Sequence, residues 1–314
     1  MSLEISNTSS QAGQEKTAAA LSSVIAAVGL TTLKIIVGIM TNSLGILAEA
    51  AHSGLDLVAA LVTFFAVRLS DKPADREHQF GHGKIENLSA LFETFLLLAT
   101  CVWIIYESIQ RLFFETVEVE ASFWAFLVMG ISIGVDYSRS RVLYRAARKH
   151  NSQALEADAL HFSTDIWSSS VVILGLIGLV LAENVPTLHF LNKADAIAAL
   201  LVAGIVIYVS IELGIRTVQG LLDQAPQGLA GKIEKAVEAV PGIFDCHRVR
   251  VRSSGPSLFI DLHVYVDPAQ SLAEAHQLTR KAVEAVQTVA PKSDVSIHAE
   301  PMPQPELSVK DKTL

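Results

Sequence analysis

The chain has 314 residues, of which 51% are hydrophobic and only 18% are charged. This balance excludes a disordered chain, which needs low hydrophobicity and a high net charge, and it differs from an ordinary soluble domain, in which about a quarter of the residues are charged. The formal net charge of −8 argues against a nucleic-acid partner. Residues 1–16 are polar and lack the apolar core of a cleavable signal, so we expect a polar N-terminus there.

Six long apolar runs follow in chain order. Each run reaches the roughly 20 residues that a helix needs to cross the hydrocarbon core of a membrane. We therefore predict an α-helical membrane protein with six transmembrane helices over residues 17–220. The runs cover residues 18–40, 44–69, 86–113, 122–144, 153–182 and 194–215.

Basic residues are unevenly shared between the loops that join these runs, and in membrane proteins the basic loops face the cytoplasm. The two basic loops contain Arg68, Lys72, Arg76 and Lys84, then Arg139, Arg141, Arg145, Arg148 and Lys149, whereas the opposite loops contain Arg111 and Lys193. Because six spans return the chain to its starting side, we expect both termini in the cytoplasm. The expected location is the inner (cytoplasmic) membrane, with the lipid bilayer as surroundings.

From about Leu221 the composition becomes that of a small globular domain, which we place at residues 221–302 and follow with a flexible tail at 303–314. Helical periodicity and alternation predict a helix at 228–239, strands at 243–252 and 257–266, a helix at 270–289 and a strand at 294–299. This order predicts a small α/β (αββαβ) domain with one helical layer on one sheet.

Two of the predicted spans carry pairs of ionisable residues, which are costly in a membrane and indicate function. His52 and Asp56 lie four residues apart in the second span, and His161 and Asp165 lie four residues apart in the fifth, so each pair shares one helix face. The first pair lies about 14 and 20 Å below the outer edge, and the second about 12 and 18 Å above the inner edge. Both pairs therefore reach the middle of the membrane.

Two imidazoles and two carboxylates at one depth suit a tetrahedral divalent ion, above all Zn²⁺, while Co²⁺, Fe²⁺ and Mn²⁺ stay open. The two carboxylates carry a charge that one divalent ion or two protons would cancel, so metal and protons would compete for the same groups. The alternative is that these polar residues form hydrogen bonds between helices that hold the bundle together.

Three further ionisable residues fall within the spans. Lys34 is expected to extend its ammonium group to the membrane surface. Glu49 precedes His52 by about one turn and either accepts a hydrogen bond from that imidazole or faces a water-filled cavity. Glu93 receives no role from the sequence.

Other histidines lie outside the spans. Asp75, His78 and His82 form a D-x-x-H-x-x-x-H pattern in a glycine-containing loop, which fits a metal site and a solvated loop equally well. In the tail domain His263 shares a polar strand face with Asp261, and His298 and Glu300 share a face by the two-residue period of a strand. Surface histidines without a metal are the alternative there.

The sequence resembles the cation diffusion facilitator family over residues 17–302. The resemblance is carried by HSGLD in the second span, PADREHQFGHGKIENLSAL before and in the third, ADALHFSTD in the fifth, LLDQAP after the sixth and IHAEP near the end. The similarity is to the bacterial zinc/ferrous-iron efflux subgroup. It implies a homodimeric, proton-coupled exporter of divalent cations that works by alternating access.

The resemblance also implies roles for individual residues. His52, Asp56, His161 and Asp165 match the family's transport site, and histidine at position 52, where some members have Asp, favours Zn²⁺. Lys84 and Asp223 match a pair that links the third span to the tail domain in relatives. Further metal positions are matched by Asp75, His78 and His82 in the loop and by His247, His263, His276, His298 and Glu300 in the tail, where relatives have Asp in place of Glu300.

The expected function is therefore proton-coupled export of Zn²⁺, with Fe²⁺, Co²⁺, Cd²⁺ or Mn²⁺ as alternative ions and with tail-bound metal tightening the dimer. Two other classes of function compete with this expectation. A membrane-embedded metalloenzyme is disfavoured because four ligands leave no open position for water and no HExxH motif is present, so we expect no enzyme. A metal-sensing membrane scaffold that does not transport is the remaining alternative.

Overall fold

The computed structural model describes residues 2–113, 123–184, 194–291 and 293–303. The chain divides into two compact units after Leu221. The predicted tail at 303–314 lies outside the described residues except for its first position.

Six long helices make up the described part of the first unit. They are α1 (Ser2–Thr41), α2 (Leu44–Ser70), α3 (Lys84–Phe113), α4 (Phe123–His150), α5 (Gln153–Asn184) and α6 (Ala194–Leu221). The main packed pairs are α1 with α2, α3 with α6 and α4 with α5. The Ser43 hydroxyl caps α2 by accepting a hydrogen bond from the amide of Ile46. The helix α1 runs without a break from the polar N-terminal segment into the first apolar run.

Four of these helices are long and apolar enough, over the described residues, to cross a membrane: Gln11–Thr41, Glu49–Ser70, Lys84–Gln110 and Ala199–Leu221. The helices α4 and α5 fall short of that measure. The second half of α4 is strongly basic, and the first half of α5 carries acidic residues, a histidine and several hydroxyls. Large apolar side chains such as Ile39, Phe95, Trp103 and Tyr208 are exposed on the bundle, as expected for a surface that faces lipid.

The second unit is a three-stranded sheet covered on one face by two helices. Its elements are α7 (Leu229–Glu238), β1 (Asp245–Ser254), β2 (Ser257–Val266), α8 (Leu272–Val289) and β3 (Ser293–Pro301). The strand order is β1-β2-β3, with β1 antiparallel and β3 parallel to β2. The parallel pair requires a crossover, and α8 supplies it. The predicted αββαβ fold is confirmed.

Alternation along β2 explains how this unit buries its core. Ile260, Leu262 and Val264 point toward the helices and pack with residues such as Val237 and Val286. The residues between them, including His263, lie on the opposite face of the sheet, which no described helix of the unit covers. The two-residue period of a strand thus separates an apolar face from a face that carries polar side chains.

Candidate metal centre

The structure brings the two pairs of ionisable residues together between α2 and α5. His161 Nε2 lies 3.2 Å from Asp56 Oδ1 and 3.7 Å from Asp165 Oδ2. His52 Nε2 lies 3.9 Å from Asp56 Oδ1 and 4.0 Å from Asp165 Oδ1. We call these four side chains the midplane cage. The cage follows from the four-residue spacing within each helix and from the packing of α2 against α5.

These separations are close to what a four-coordinate ion needs. A tetrahedral zinc with bonds of about 2.0–2.2 Å holds its ligand atoms roughly 3.3–3.6 Å apart. His52, Asp56 and Asp165 offer ligand atoms that all lie within 4.8 Å of one another. His161 is outside that group and contacts the two carboxylates from one side. The members of the cage differ in exposure, because Asp56 and His161 are buried whereas the His52 side chain is 41% exposed. His52 therefore lies at the accessible side of the cage.

A cavity reaches the cage from one end of the bundle. Its lining includes Glu49, Met129, Ser168 and Ser169, which lie toward the end where α2 and α4 begin. It also includes His52, Asp56 and Asp165 of the cage, together with Asp136 of α4. An ion that entered at this end would thus meet acidic and hydroxyl oxygens before it reached the cage.

Lys34 also lines this cavity, and its predicted extension to the membrane surface is wrong. Lys34 is 4% exposed, and its ammonium group donates hydrogen bonds to Glu49 at 3.2 Å and Ser53 at 2.8 Å. Glu49 and Ser53 lie one turn apart on α2, so they present two acceptors to the same point of α1. Glu49 therefore pairs with a lysine rather than with the imidazole of His52.

Glu93 of α3 lies behind the cage, and the sequence predicts no role for it. Its carboxylate is fully buried, and one oxygen accepts a hydrogen bond from Thr63 at 3.3 Å. The other oxygen lies 3.5 Å from His161 Nδ1, the ring nitrogen that faces away from the cage. The sequence reveals a partner that lies a whole number of turns away on the same helix. It does not reveal a partner on a third helix.

The opposite end of the bundle is closed below the cage. Phe162 is fully buried, and the Arg139 guanidinium stacks over its ring at 3.4 Å. The same guanidinium donates to Asp136 and to Ser23. Small and apolar residues complete this seal between α1, α2, α4 and α5: Ala20, Ala60, Val67, Leu143, Ala147, Ala154, Leu155 and Ala159.

A buried ion pair lies beyond this seal, at the same end of the bundle. It joins α1 to the end of α2, the start of α3 and the residue before α5. The Lys16 ammonium group donates to Asp71 at 2.6 Å and to Glu86 at 2.8 Å. Glu86 also accepts hydrogen bonds from Ser70 at 3.0 Å and from Ser152 at 2.5 Å. We call this group the Lys16–Glu86 network. Since Glu86 is fully buried, its charge depends on Lys16 for compensation, whereas the Lys16 charge is compensated by both Glu86 and Asp71.

The loop between α2 and α3 brings its three predicted ligands together. Asp75 lies 3.4 Å from His78 Nδ1 through one carboxylate oxygen and 3.4 Å from His82 Nε2 through the other. Hydrogen bonds from the backbone amides of His78 and Glu77 hold the pKa of the Asp75 carboxyl below its usual range. Asp75 is thus kept ionised and oriented between two imidazoles, an arrangement that suits a divalent ion.

Three of the tail-domain histidines form a row across the sheet. His247 is paired with His263 on β2, and His263 is paired with His298 on β3. Glu300 Oε1 lies 2.7 Å from His263 Nδ1, and Glu300 Oε2 lies 3.5 Å from His247 Nε2. The longer glutamate side chain therefore reaches both imidazoles. The hydrogen bond with His263 is the main cause that holds the pKa of the Glu300 carboxyl below its usual range.

One predicted tail residue, His276, lies apart from this row, and one buried cysteine lies beside it. His276 is on α8 and is not among the described groups that could share a metal ion with the row. Cys246, the neighbour of His247, is 1% exposed, and burial together with nearby Glu234, Glu238 and Asp245 raises the pKa of its thiol to about 12. A thiol that resists ionisation in this way is a structural residue rather than a metal ligand.

The predicted link between Lys84 and Asp223 stays a prediction. The Lys84 ammonium group donates a hydrogen bond to the carbonyl of Leu221, the last residue of α6, at 3.2 Å. Asp223 follows two residues later with a positive φ of 60°, a conformation that aspartate tolerates better than most residues. The hydrogen bond from Lys84 to Leu221 joins the start of α3 to the end of α6.

The fold and the cage together define a class: a multi-pass membrane protein with a candidate divalent-metal centre buried between its helices. The family model described as the cation efflux transmembrane domain matches residues 20–222, and the model described as the cation efflux protein cytoplasmic domain matches residues 226–302. The chain therefore belongs to the cation efflux family, the cation diffusion facilitators. Members of this family are transporters of divalent metal cations rather than enzymes, and the second unit corresponds to the family's dimerisation domain.

Individual proteins show the same likeness over nearly the whole chain. The cation-efflux pump FieF of Pectobacterium carotovorum subsp. carotovorum (strain PC1) is 32% identical over 289 residues, which cover 91% of this chain and 93% of that protein. The cation-efflux pump FieF of Yersinia enterocolitica serotype O:8 is 34% identical and covers 90% and 92%. Among solved structures, a nickel form of a MamM CTD variant is 23% identical, covers 25% of this chain and 100% of its own, and has a TM-score of 0.24.

Proposed function

We propose that this protein exports Zn²⁺ from the cytoplasm in exchange for protons and that the midplane cage binds the ion during transport. One observation carries this proposal: two histidines and two aspartates of α2 and α5 contact one another, with nitrogen-to-oxygen distances of 3.2–4.0 Å. Both relatives described above are named as cation-efflux pumps. The inner membrane, with cytoplasmic termini, is the location that the basic loops support.

The charge of the cage supports proton exchange. With neutral imidazoles, the carboxylates of Asp56 and Asp165 place two negative charges inside the bundle, where an uncompensated charge costs several kcal/mol. A divalent ion compensates both charges, and so do two protons. Because the ligands must be deprotonated to bind metal, occupancy by the ion and by protons is mutually exclusive. Inward protons would then drive outward metal movement through one shared site.

The choice of Zn²⁺ follows from the ligand set. Two imidazole nitrogens and two carboxylate oxygens match the tetrahedral sites of zinc, whereas an all-oxygen octahedral set is typical of Mg²⁺, Ca²⁺ and Mn²⁺. Fe²⁺, Co²⁺ and Cd²⁺ accept imidazole as well. Zn²⁺ is therefore the ion that suits this ligand set best, and the other ions compete with it.

The cavity and the closed end support alternating access. If the basic loops face the cytoplasm, the cavity that reaches the cage opens to the exterior, and the seal around Phe162 lies on the cytoplasmic side. The described conformation would then be the one that releases metal and admits protons. Loading from the cytoplasm would require the seal and the Lys16–Glu86 network to separate.

We further propose metal at the loop and tail clusters. Asp75, His78 and His82 would bind an ion near the cytoplasmic surface. The histidine row with Glu300 would bind metal in the dimerisation domain and tighten a homodimer when cytoplasmic metal is high. Their exposure distinguishes them from the cage, because a site within reach of solvent can follow the free metal concentration.

The test is metal flux into sealed proteoliposomes with an imposed pH gradient. Wild type should move Zn²⁺ in a gradient-dependent way and faster than Fe²⁺, Co²⁺, Cd²⁺ or Mn²⁺. Asp165→Asn should abolish flux because one cage charge is lost, whereas Asp294→Asn, an exposed carboxylate on β3, should leave it unchanged. Folded wild-type protein that binds metal but moves no ion would overturn the proposal and favour the metal-sensing scaffold.

A further inference from the structure

Glu93 occupies a place that the proposed transport cycle does not yet use. We propose that Glu93 is a positioning residue that fixes the orientation of His161, so that the ring presents Nε2 to the transported ion. This inference rests on the proposed function of the midplane cage. Glu93 itself contacts no ion in the proposal and acts through the imidazole.

The positions of the two ring nitrogens carry the inference. His161 Nε2 faces the cage oxygens of Asp56 and Asp165, whereas His161 Nδ1 faces Glu93 Oε2 at 3.5 Å. Both Nδ1 and this carboxylate oxygen are buried, and neither has a hydrogen-bond partner within the described residues. Two buried polar atoms that face each other would lose little and gain a hydrogen bond by moving a few tenths of an ångström closer.

Thr63 holds the carboxylate in place for this contact. Its hydroxyl donates a hydrogen bond to Glu93 Oε1 at 3.3 Å, which leaves Oε2 directed at the imidazole. Thr63 lies on α2, seven residues after Asp56, so the helix that supplies two cage ligands also anchors the partner of a third. Glu93 thereby connects α3 to both helices of the cage.

The chemistry of metal-bound histidine explains why such a partner matters. A ligating imidazole uses one nitrogen for the metal and donates the N–H of the other to a carboxylate or carbonyl, which fixes the tautomer and raises ligand basicity. His161 is buried, whereas His52 is partly exposed. The deeper histidine of the cage is thus the one that needs a protein acceptor.

A role in packing alone is the competing explanation. A buried carboxylate is costly, and replacing a buried ionic group by an apolar residue of similar volume is often neutral or stabilising. If Glu93 only held helices together, an apolar substitute would preserve or improve the bundle and leave metal binding alone. The two explanations therefore differ in the metal affinity they predict for the apolar variant: weaker for positioning and unchanged for packing.

The experiment compares Glu93→Gln, Glu93→Leu and Thr63→Val in the full chain, with Glu107→Gln on the same helix as the control. Zinc flux is measured against zinc concentration in proteoliposomes, and the absorption spectrum of bound Co²⁺ is recorded. We expect the KM for Zn²⁺ to rise about 10-fold in Glu93→Gln and about 100-fold in Glu93→Leu, with the maximal rate retained, because loss of such partners costs 10–100-fold in affinity. Thr63→Val should fall between wild type and Glu93→Gln.

The outcomes separate this inference from the proposed function. Wild-type flux that His161→Ala abolishes, together with an unchanged KM and Co²⁺ spectrum in Glu93→Leu, would overturn the positioning role while leaving the exchanger intact. Absence of flux in wild type would instead overturn the proposed function. A changed Co²⁺ spectrum in Glu93→Leu at wild-type thermal stability would support positioning, since a packing role predicts the reverse.

Discussion

At the scale of single residues, His52 differs from the other members of the midplane cage. Its imidazole is 41% exposed at the cavity side, while Asp56 and His161 are buried. An exposed ligand can change its chemistry without leaving a void or an unpaired charge inside the bundle. His52 is therefore the cage position at which ion selectivity can be altered with least effect on the fold.

Replacement of His52 by Asp should weaken the preference for Zn²⁺. The variant has one nitrogen and three carboxylate groups, and carboxylates favour harder ions such as Mn²⁺ relative to imidazole. We expect the ratio of Zn²⁺ flux to Mn²⁺ flux to fall about 10-fold, measured in proteoliposomes with each ion alone. His276→Asp, at an exposed position of α8 outside the cage, is the control. An unchanged ratio would show that His52 does not contribute to ion choice.

Residue spacing explains how much of the cage the sequence predicts. His52 and Asp56, like His161 and Asp165, are one helical turn apart, and that period is fixed by the backbone. Lys34 and Glu93 act across helices, so their partners depend on how α1 and α3 rotate about their axes. No local pattern encodes that rotation. The pairing of Lys34 with Glu49 and the placement of Glu93 behind His161 therefore required the packed structure.

At the scale of helices, the Lys16–Glu86 network determines how the closed end is held. It joins α1 to the end of α2, the start of α3 and the residue before α5 through charged and hydroxyl groups. Loss of one partner of a buried ion pair costs about 3–5 kcal/mol, whereas removal of both charges is often neutral. The network can thus close the bundle firmly, and it can open cooperatively once its charges separate.

Glu86→Gln should loosen the closed end. The substitution leaves the Lys16 charge without its buried partner, so the closed conformation loses stability relative to an open one. The probe is a cysteine at the buried position Leu155, in a chain whose Cys101 and Cys246 are replaced by Ser. This cysteine should react with a membrane-impermeant thiol reagent at least 10-fold faster in the Glu86→Gln variant than in the protein that keeps Glu86.

The paired variant Lys16→Met with Glu86→Gln removes both buried charges, leaves only the partly exposed carboxylate of Asp71, and should restore slow labelling. Equal rates in all three proteins would show that the network does not hold this end closed.

At the scale of the whole molecule, the second unit combines a predictable fold with a site that depends on register. Alternation in β2 and the amphipathic helices predicted αββαβ correctly, because a one-sided sheet must direct every second side chain to its helices. The alignment of His247, His263 and His298 depends on strand pairing, including a register shift between His247 and Arg250. Sequence spacing does not specify such a shift, so the row itself became visible only in the structure.

Metal at the histidine row should strengthen the homodimer. Imidazoles and a carboxylate bind Zn²⁺ only when deprotonated, so protons compete with the ion for this site. We expect the dimer dissociation constant of the detergent-solubilised full chain, measured by dilution in analytical ultracentrifugation, to fall at least 10-fold when Zn²⁺ is added at pH 7.5. The combined variant His247→Ala and His263→Ala should abolish this response, whereas His276→Ala, away from the row, should retain it. A zinc-induced change of the same size in the row variant would assign the effect to another site, and the loop residues Asp75, His78 and His82 would be the next positions to replace.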